Sequence, residues 1–328
     1  MVAATRAKLA VMRVNLMVEG QEGVTWDQWA ALAEACEAGG LEGLFRSDHY
    51  ATISPFLERG SLDAWTVLTA LGARTSRIRL GSLVSPVTFR HPSVLAKSVV
   101  TADHVSGGRV ELGIGGGWYG DDHGRYGFTF PDTPTRMQML AEQLEIIHRQ
   151  WSEESFSFAG RHYTLEDCHA EPKPVQDPHP PVIVGGSAGK STARLAAKWA
   201  DEYNTVFASP EECARRRAVV AEAWEAEGRD PATLRFSLMT GCVVGEDRAD
   251  AVRRAGRVAE RRGGSADDGE TLLRDQSAAW VAGTVDEAVA RLRELADAGV
   301  ERVMLQHLAH DDVEMVALIG REVVPAVS

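Results

Sequence analysis

Short apolar segments alternate with amphipathic segments along this 328-residue chain, and this alternation restricts the possible folds more than any other feature. A strand followed by a helix, repeated about eight times, places the strands in parallel and allows the sheet to close. We therefore predict an α/β fold, a (β/α)8 TIM barrel. A doubly wound open sheet is the alternative, but no GxGxxG pattern opens the first helix. The predicted strands span residues 9–18, 44–47, 78–84, 110–114, 182–184, 202–206, 236–244 and 302–306.

One stretch departs from the alternation. Residues 155–158 and 162–165 alternate in hydrophobicity around a turn, which predicts an excursion hairpin, and the five prolines of residues 171–181 require an extended loop. No change in composition marks a domain boundary, so we expect one domain over residues 1–328. It would carry an insertion around 152–181 and a mobile segment around 248–280. Helices are predicted at 26–38, 62–74, 92–104, 134–151, 191–200, 210–227, 285–298 and 313–323, with further helical segments between 248 and 280.

Charge and cysteine content exclude several classes of function. The formal net charge of −12 offers no basic face to a nucleic acid. The four cysteines form no CxxC pair, so we predict neither a zinc site nor a redox dithiol. No segment approaches the roughly 18 consecutive apolar residues of a membrane span. The first residues lack the apolar core of a signal peptide, so we expect a cytoplasmic protein.

The second predicted strand ends in the tripeptide Ser47-Asp48-His49. Active sites of α/β barrels are built at the carboxyl ends of their strands. Histidine exchanges protons near neutral pH, and a neighbouring carboxylate can orient it or raise its pKa. Asp48 and His49 therefore fit a general acid or a pair that contacts a cofactor. A helix cap or a surface turn would explain the same residues.

Glycines follow two other predicted strands. Gly115, Gly116 and Gly117 precede Trp118, which indicates that something approaches the backbone closely; a flat ring would do so, and a flexible loop is the alternative. The later segment favours an anion such as a phosphate, because bare amide groups precede a helix there. An ordinary glycine turn is its alternative. This segment contains Gly185, Gly186, Ser187, Gly189 and Lys190.

Asp121, Asp122 and His123 could suggest a metal site. The three residues are adjacent rather than convergent, so we predict a solvated loop and no metal.

Taken together, these residues closely resemble the bacterial luciferase-like monooxygenase superfamily, in its branch of coenzyme F420-dependent oxidoreductases. The resemblance covers most of the chain in order, and only residues from about 210 to 280 contribute nothing. It is carried by SDH (47–49), by TSRIRLGSLVSPVTFRHPSVLAKSVVTADHVSGGRVELGIGGGW (75–118), by GRHY (160–163), by EPKPVQDPHPPVIVGGSAGK (171–190), by AAKWADEYN (196–204) and by AGTVDEAVARLRELADAGVERVMLQ (282–306).

The resemblance implies a homodimeric barrel that binds a flavin or deazaflavin in its mouth. It places His49 near the deazaflavin ring, where it handles a proton, with Asp48 beside it. A bulge with a non-proline cis peptide, expected at Ser82-Leu83, would support the back of the ring together with Val84. Trp118 would face the substrate. Gly115 and Gly116 would lie along the cofactor, and Gly185, Gly186, Ser187, Gly189 and Lys190 would hold its phosphate.

The implied function is hydride transfer between coenzyme F420 and a small organic substrate. An FMN-dependent luciferase-like monooxygenase is one alternative, and a non-catalytic barrel that binds a flavin or another ligand is the second. The sugar-phosphate dehydrogenases of this branch carry a glutamate early in the loop after the fourth strand. The nearest counterparts here are Gly116 and Gly117, so a sugar phosphate is not the expected substrate.

Overall fold

Eight parallel strands close into a barrel in the computed structural model, which describes residues 12–328. Around the barrel the strands follow one another in chain order, and the last pairs with the first. The strands are β1 (Arg13–Val18), β2 (Gly43–Arg46), β3 (Arg79–Ser82), β4 (Ser85–Pro86), β5 (Val110–Gly115), β6 (Phe156–Ala159), β7 (Thr164–Cys168), β8 (Val182–Gly185), β9 (Glu202–Val206), β10 (Arg235–Gly245), β11 (Val281–Thr284) and β12 (Arg302–His307).

Helices surround the barrel, so the fold is the predicted (β/α)8 TIM barrel. They are α1 (Trp26–Ala38), α2 (Ala64–Arg74), α3 (Pro92–Ser106), α4 (Gly120–Tyr126), α5 (Thr133–Ser152), α6 (Lys190–Trp199), α7 (Pro210–Ala226), α8 (Arg248–Arg261), α9 (Gly269–Gln276), α10 (Val285–Asp297), α11 (Val313–Leu318) and α12 (Val324–Val327). The ring consists of β1, β2, β3, β5, β8, β9, β10 and β12. Of the remaining strands, β4 pairs with β5, β11 pairs with the end of β10, and β6 and β7 form the excursion hairpin.

Alternation along the strands distributes apolar side chains between the two faces of the sheet. Leu16 and Leu44 belong to the large core that includes the apolar faces of the helices. The next residues, Met17 and Phe45, belong to a separate apolar cluster that also includes Met304. Burial of each such side chain contributes about 1.5–3 kcal/mol. The second cluster lies on the inward-facing positions and fills the barrel interior, so the barrel is a packed core with a floor beneath its mouth.

Local signals place several helices where they were predicted. Thr25 and Gln28 form a reciprocal capping box, with hydrogen bonds of 3.3 and 3.0 Å, and α1 occupies the predicted residues. The helix α3 begins at Pro92 and is closed by Gly107, whose φ of 67° lies in the left-handed region.

Three predicted elements differ in the structure. The strand predicted at 78–84 ends at Ser82 and is followed by a bulge whose cis peptide joins Leu83 to Val84, one residue later than expected. Leu83 and Val84 are apolar like Ile78 and Leu80 earlier in the run, so hydrophobicity does not mark this break. The loop predicted after β5 contains α4, whose glycines make it a weak helix in isolation. The last predicted helix changes to a π-helical segment at Ile319–Val323.

The segment at 248–280 contains α8, a short 3₁₀ turn at Ala266–Asp268 and α9. Residues 9–11 of the first predicted strand lie outside the described residues. Among residues 12–328, no helix combines the length and the apolar composition needed to cross a bilayer.

Candidate active site at the barrel mouth

A cavity of about 600 Å³ opens at the carboxyl ends of the barrel strands. Its size lies within the range of ligand pockets, roughly 300–1,000 Å³. Glu19, which follows β1, and Gln306 of β12 are among its polar lining residues, as are three arginines, while Trp118 and Trp280 contribute to its apolar surface. This cavity is the candidate active site, because barrels of this kind build their sites at this face.

His49 packs against Trp118, which lines the cavity, and it is held by a carboxylate that is distant in sequence. Its Nδ1 atom is 2.5 Å from Oδ2 of Asp122, a residue with no solvent exposure. The other carboxylate oxygen of Asp122 accepts the backbone N–H groups of Tyr50 and Ala51 at 3.0 and 2.6 Å. Asp122 on α4 therefore fixes both the ring of His49 and the chain that follows it.

The surroundings of His49 favour its protonated form. Burial opposes the charge, but the hydrogen bond to Asp122 and the charges of Glu19, Asp122 and Asp48 raise the pKa of His49 above its ordinary value. Burial also acts on Asp122, yet the bonds from His49 and from the backbone hold the pKa of that carboxyl below its usual range. The two shifts agree, and both favour an imidazolium–carboxylate pair.

The second ring nitrogen of His49 is free. Nε2 makes no hydrogen bond with residues 12–328, and it is not among the buried polar atoms that lack a partner, so solvent or a ligand can reach it. A histidine anchored through Nδ1 presents its proton at Nε2. The arrangement can therefore store a proton beside the cavity and donate it.

Asp48 is placed differently from the expectation that it touches a cofactor. Its side chain is buried, and Oδ2 accepts hydrogen bonds from Ser85 and Arg90, each at 2.6 Å. Arg90 also binds Asp63 at 2.7 Å. The carboxylate is thus committed to a buried ion-pair network and does not line the cavity. This network anchors the chain immediately before His49.

The bulge after β3 forms an apolar platform inside the barrel. Ser82 is buried, and its hydroxyl donates to the carbonyl of Gly113 at 2.8 Å. Leu83 and Val84 pack with the apolar cluster of the barrel interior, and Val84 remains partly exposed. A flat, apolar ring would find a matching surface here, so these residues fit the back of a flavin or deazaflavin ring.

The glycines of β5 make room for this bulge. A Cβ atom at Gly115 would lie 2.8 Å from the side chain of Val84, and one at Gly113 would lie 2.1 Å from the carbonyl oxygen of Ser82. Gly185 on β8 has Val84 at 3.2 Å on the same basis. The sequence predicted that something approaches the backbone closely at these glycines. At Gly115 this is the side chain of Val84 and not a ligand. At Gly116 the nearest atom to such a Cβ would be the sulfur of Met137 at 3.6 Å, an ordinary van der Waals contact, so crowding by the chain does not explain this glycine.

The segment after β8 presents unpaired amide groups at the start of α6. The cap position is Gly189, whose missing side chain cannot cap the helix, and Lys190 is its first residue. Ser187, Gly189 and Lys190 are exposed. The hydroxyl of Tyr203 accepts the N–H of Ala188 at 2.8 Å and holds the turn. Helix dipole, free N–H groups and a lysine together fit an anionic group such as a phosphate.

Trp118 lines the cavity and is 64% exposed. Its ring meets the ring of His49 nearly edge-on, with centroids 6.0 Å apart. The side chain therefore lies next to the proton that His49 can donate.

Sequence reasoning missed Asp122 and Glu19. The prediction of a solvated loop at 121–123 is wrong for Asp122 and His123, which are buried. The contact joins the loops after β2 and β5, and no spacing along the chain reveals such a tertiary contact. For Glu19 the available signal was its position directly after β1. Within residues 12–328, no group of three potential ligand side chains is arranged to hold a metal ion.

These features agree with the family to which the chain is assigned by comparison. The model of the luciferase-like monooxygenase family matches residues 9–322, and the protein belongs to that family.

Two of the similar proteins are named as F420-dependent dehydrogenases. The chain is 27% identical to the F420-dependent glucose-6-phosphate dehydrogenase of Microbacterium testaceum over 308 residues, 88% of this chain and 90% of that protein. It is 30% identical to the F420-dependent hydroxymycolic acid dehydrogenase of Mycobacterium tuberculosis over 238 residues, 72% and 64% of the two chains. An uncharacterised protein of Mycobacterium tuberculosis is 37% identical over 175 residues, which is 52% of this chain and only 58% of that relative's length.

Solved structures share the fold. The coenzyme F420-dependent tetrahydromethanopterin reductase of Methanopyrus kandleri superimposes with a TM-score of 0.81 at 20% identity, covering 97% of this chain and 100% of that chain. The oxygenating constituent of 3,6-diketocamphane monooxygenase from Pseudomonas putida, in complex with FMN, gives 0.78 at 18% identity, covering 97% and 99%. The same fold therefore serves proteins that use either cofactor.

Proposed function

We propose that this protein is an oxidoreductase that transfers a hydride between coenzyme F420 and a small organic substrate. The observation that carries the proposal is His49, anchored through Nδ1 by the buried Asp122, with Nε2 free beside the cavity. The F420-dependent relatives support the choice of cofactor. The substrates for which these relatives are named, glucose-6-phosphate and hydroxymycolic acid, differ too much to identify a substrate for this chain.

The cofactor contacts follow from the fit of the site. Leu83 and Val84 would support the back of the ring, Gly115 and Gly116 would border it, and the turn from Gly185 to Lys190 would hold the phosphate. When bound, the deazaflavin supplies a two-electron hydride at C5. The protein contributes orientation and proton delivery.

His49 is the proposed proton donor for the reduction of a substrate, and the acceptor in the reverse direction. Asp122 holds its ring and maintains the charge that keeps it protonated. Asp48 acts indirectly, because its pairing with Arg90 fixes the start of the loop that carries His49. Trp118 covers the substrate side and limits the access of water to the reacting atoms.

Titration with oxidised F420 and, separately, with FMN tests the cofactor, with binding followed by fluorescence. We expect F420 to bind with a dissociation constant of about 1 μM or lower and FMN to bind much more weakly. Ser187→Asp places a negative charge at the proposed phosphate position and should weaken F420 binding. Ser209→Asp is the matched control, because Ser209 caps α7 in the next strand–helix loop and aspartate caps equally well.

Two results would replace the proposal. Tight FMN binding without F420 binding, with oxygen consumption by the reduced complex, identifies an FMN-dependent monooxygenase, which the FMN-bound neighbour favours. Binding of either cofactor with no turnover across a broad substrate panel identifies a non-catalytic binding protein.

We also propose that the whole chain acts as one domain, as a cytoplasmic homodimer. Support for the dimer comes from α3, where Val94 and Val105 are 56% and 43% exposed beside a groove shared with α2. Sedimentation of the wild type and of a Val94→Asp/Val105→Asp variant tests this. A monomeric wild type contradicts it.

A further inference from the structure

Large apolar side chains around the cavity are left in contact with solvent. Ile53, Trp118 and Phe207 all line it, and they are 41%, 64% and 44% exposed. Phe207 also has a φ of 44°, in the left-handed region that phenylalanine rarely adopts. Exposed apolar residues gathered around one cavity indicate a surface that binds an apolar ligand.

One cation on this wall is left without a carboxylate. Arg59 pairs with Glu22 at 3.2 Å, and Arg261 pairs with Asp311 at 3.1 Å. Arg262 forms no ion pair within residues 12–328; it is exposed, and its guanidinium lies 5.7 Å from the ring centroid of Trp280. Arginine in this state can bind a carboxylate or sulfonate through two N–H groups while its plane stays against an aromatic ring.

The opposite charge lies deeper in the cavity. Glu19 accepts hydrogen bonds from the amide groups of Gln21 and Gln306 at 2.8 and 2.6 Å, and it pairs with no cation among residues 12–328. It is also close enough to His49 to raise the pKa of that ring. An anionic group would therefore be repelled near Glu19 and attracted near Arg262.

We propose that the substrate class is an amphipathic organic anion, with an apolar and preferably aromatic body and one carboxylate or sulfonate remote from the reacting carbon. The anionic group binds Arg262, the body packs against Trp118, Phe207 and Trp280, and the uncharged reacting end lies towards Glu19 and His49. The faces of these three aromatic rings offer no hydrogen-bond partners to the hydroxyl groups of a sugar phosphate, so that class fits this binding mode poorly. The reaction rests on the proposed function; the binding mode does not.

A pair of fluorescent probes tests the binding mode. The probe 1-anilinonaphthalene-8-sulfonate carries an aromatic body and one sulfonate, and N-phenyl-1-naphthylamine has the same body without it. In the purified full-length protein, Arg262→Gln should weaken binding of the sulfonate about tenfold, the value of one charge-assisted contact. It should change binding of the neutral probe by less than about twofold.

Two further variants complete the design. Arg215→Gln removes another exposed arginine, on α7 and outside the cavity, and should leave both probes unaffected. Trp118→Ala should weaken both probes, because it removes part of the apolar wall. Equal effects of Arg262→Gln on the two probes, or no effect on the sulfonate, overturn the proposal.

Repeating the titrations with F420 bound separates this inference from the proposed function. We expect the sulfonate and F420 to bind together, with the affinity for F420 unchanged by Arg262→Gln. Mutual exclusion, with loss of F420 affinity in that variant, would assign Arg262 to the cofactor and overturn the substrate class. Failure of F420 to bind, with the probe pattern retained, would overturn the proposed function and leave the binding mode standing.

Discussion

The two ends of β12 carry buried polar side chains, one with ion-pair partners and one without any hydrogen-bond partner within residues 12–328. At its first residue, Arg302 lies 2.8 Å from Glu111 and 3.0 Å from Glu202. At its last residue, at the barrel mouth, His307 is completely buried and neither ring nitrogen has a hydrogen-bond partner within residues 12–328. Within the six residues of one strand, a buried charge with ion-pair partners is thus followed by a buried imidazole without hydrogen-bond partners.

The pKa values show what this difference means. At the amino ends of the strands, which we call the bottom of the barrel, burial would raise the pKa of Glu111, but the charges of Arg302 and Arg79 hold that pKa at about 2. At the mouth, burial lowers the pKa of His307 to about 4, and the surrounding charges do not restore it. The bottom of the barrel therefore uses paired charges to stabilise the fold. The mouth instead leaves polar groups without protein partners within residues 12–328: His307 is buried, whereas Nε2 of His49 and the guanidinium of Arg262 can be reached by ligands.

The largest expected effect is on stability and comes from the bottom. Arg302→Met leaves Glu111 and Glu202 buried without their shared cation, and removal of one partner from such a buried pair costs about 3–5 kcal/mol. Urea unfolding of the two proteins at pH 7 measures the loss. The exposed pair of Arg321 and Glu246, 3.1 Å apart, supplies the control. Arg321→Met should cost less than about 1 kcal/mol, and equal costs would contradict the comparison.

At the mouth, the largest expected effect is on turnover. His49→Ala should lower the rate by about 10²–10⁴ with any substrate that the wild type reduces, because it removes the proton donor. The melting temperature should also fall, because the buried carboxylate of Asp122 loses its hydrogen bond to Nδ1, so turnover is measured well below the unfolding transition of the variant. His162→Ala on the excursion hairpin is the control. Unchanged turnover in His49→Ala would remove this residue from the mechanism.

The bottom and the mouth also differ in how far the sequence predicts them. Short apolar runs that alternate with amphipathic segments are a local signal, and they predicted α1 and most of the barrel strands to within two residues at each end. Strand ends then indicated His49 and the segment after β8. The ion cluster at the bottom was not predicted, because Glu111 and Arg302 are 191 residues apart and meet only after the barrel closes.

The errors at the mouth have the same cause. Asp122 looked like part of a solvated loop, since its neighbours are polar, but the fold buries it against His49. The prediction that Asp48 contacts a cofactor is a different case and stays a prediction; its carboxylate pairs with Arg90 at 2.6 Å, a contact that no local sequence pattern indicates. The cis peptide joins Leu83 to Val84, one residue later than predicted. The predicted position came from a resemblance, and no local signal in the sequence marks this bond.

Acid should weaken the mouth before it weakens the bottom. The folded protein keeps His307 unprotonated down to a pKa of about 4, whereas the unfolded chain takes up that proton near pH 6.5. Stability is therefore lost as pH falls from about 6.5 to 4, by roughly 3 kcal/mol from this group. Glu111, whose pKa falls from 4.5 to about 2 on folding, stabilises the protein at higher pH and loses this contribution only as pH falls from about 4.5 to 2.

Urea unfolding at pH 6.5 and 4.5 checks this window. His307→Leu should reduce the difference between the two pH values, because an apolar side chain of similar size leaves no ring to protonate. The variant should be at least as stable as the wild type at pH 4.5. An unchanged pH dependence in this variant would place the acid sensitivity elsewhere.

The finest test concerns the pair that couples the two loops at the mouth. Asp122→Asn keeps the shape of the side chain but removes the charge that raises the pKa of His49, and burial then lowers that pKa. We expect the pH profile for substrate reduction to move to lower pH and turnover at pH 8 to fall about tenfold. Histidine NMR titration should report the same downward shift in the pKa of His49. Asp121→Asn, in the adjacent exposed residue, should change neither quantity. A fall in turnover with the pKa of His49 unmoved would mean that Asp122 serves only to hold the backbone of Tyr50 and Ala51, so that the mouth, like the bottom, uses this carboxylate for structure alone.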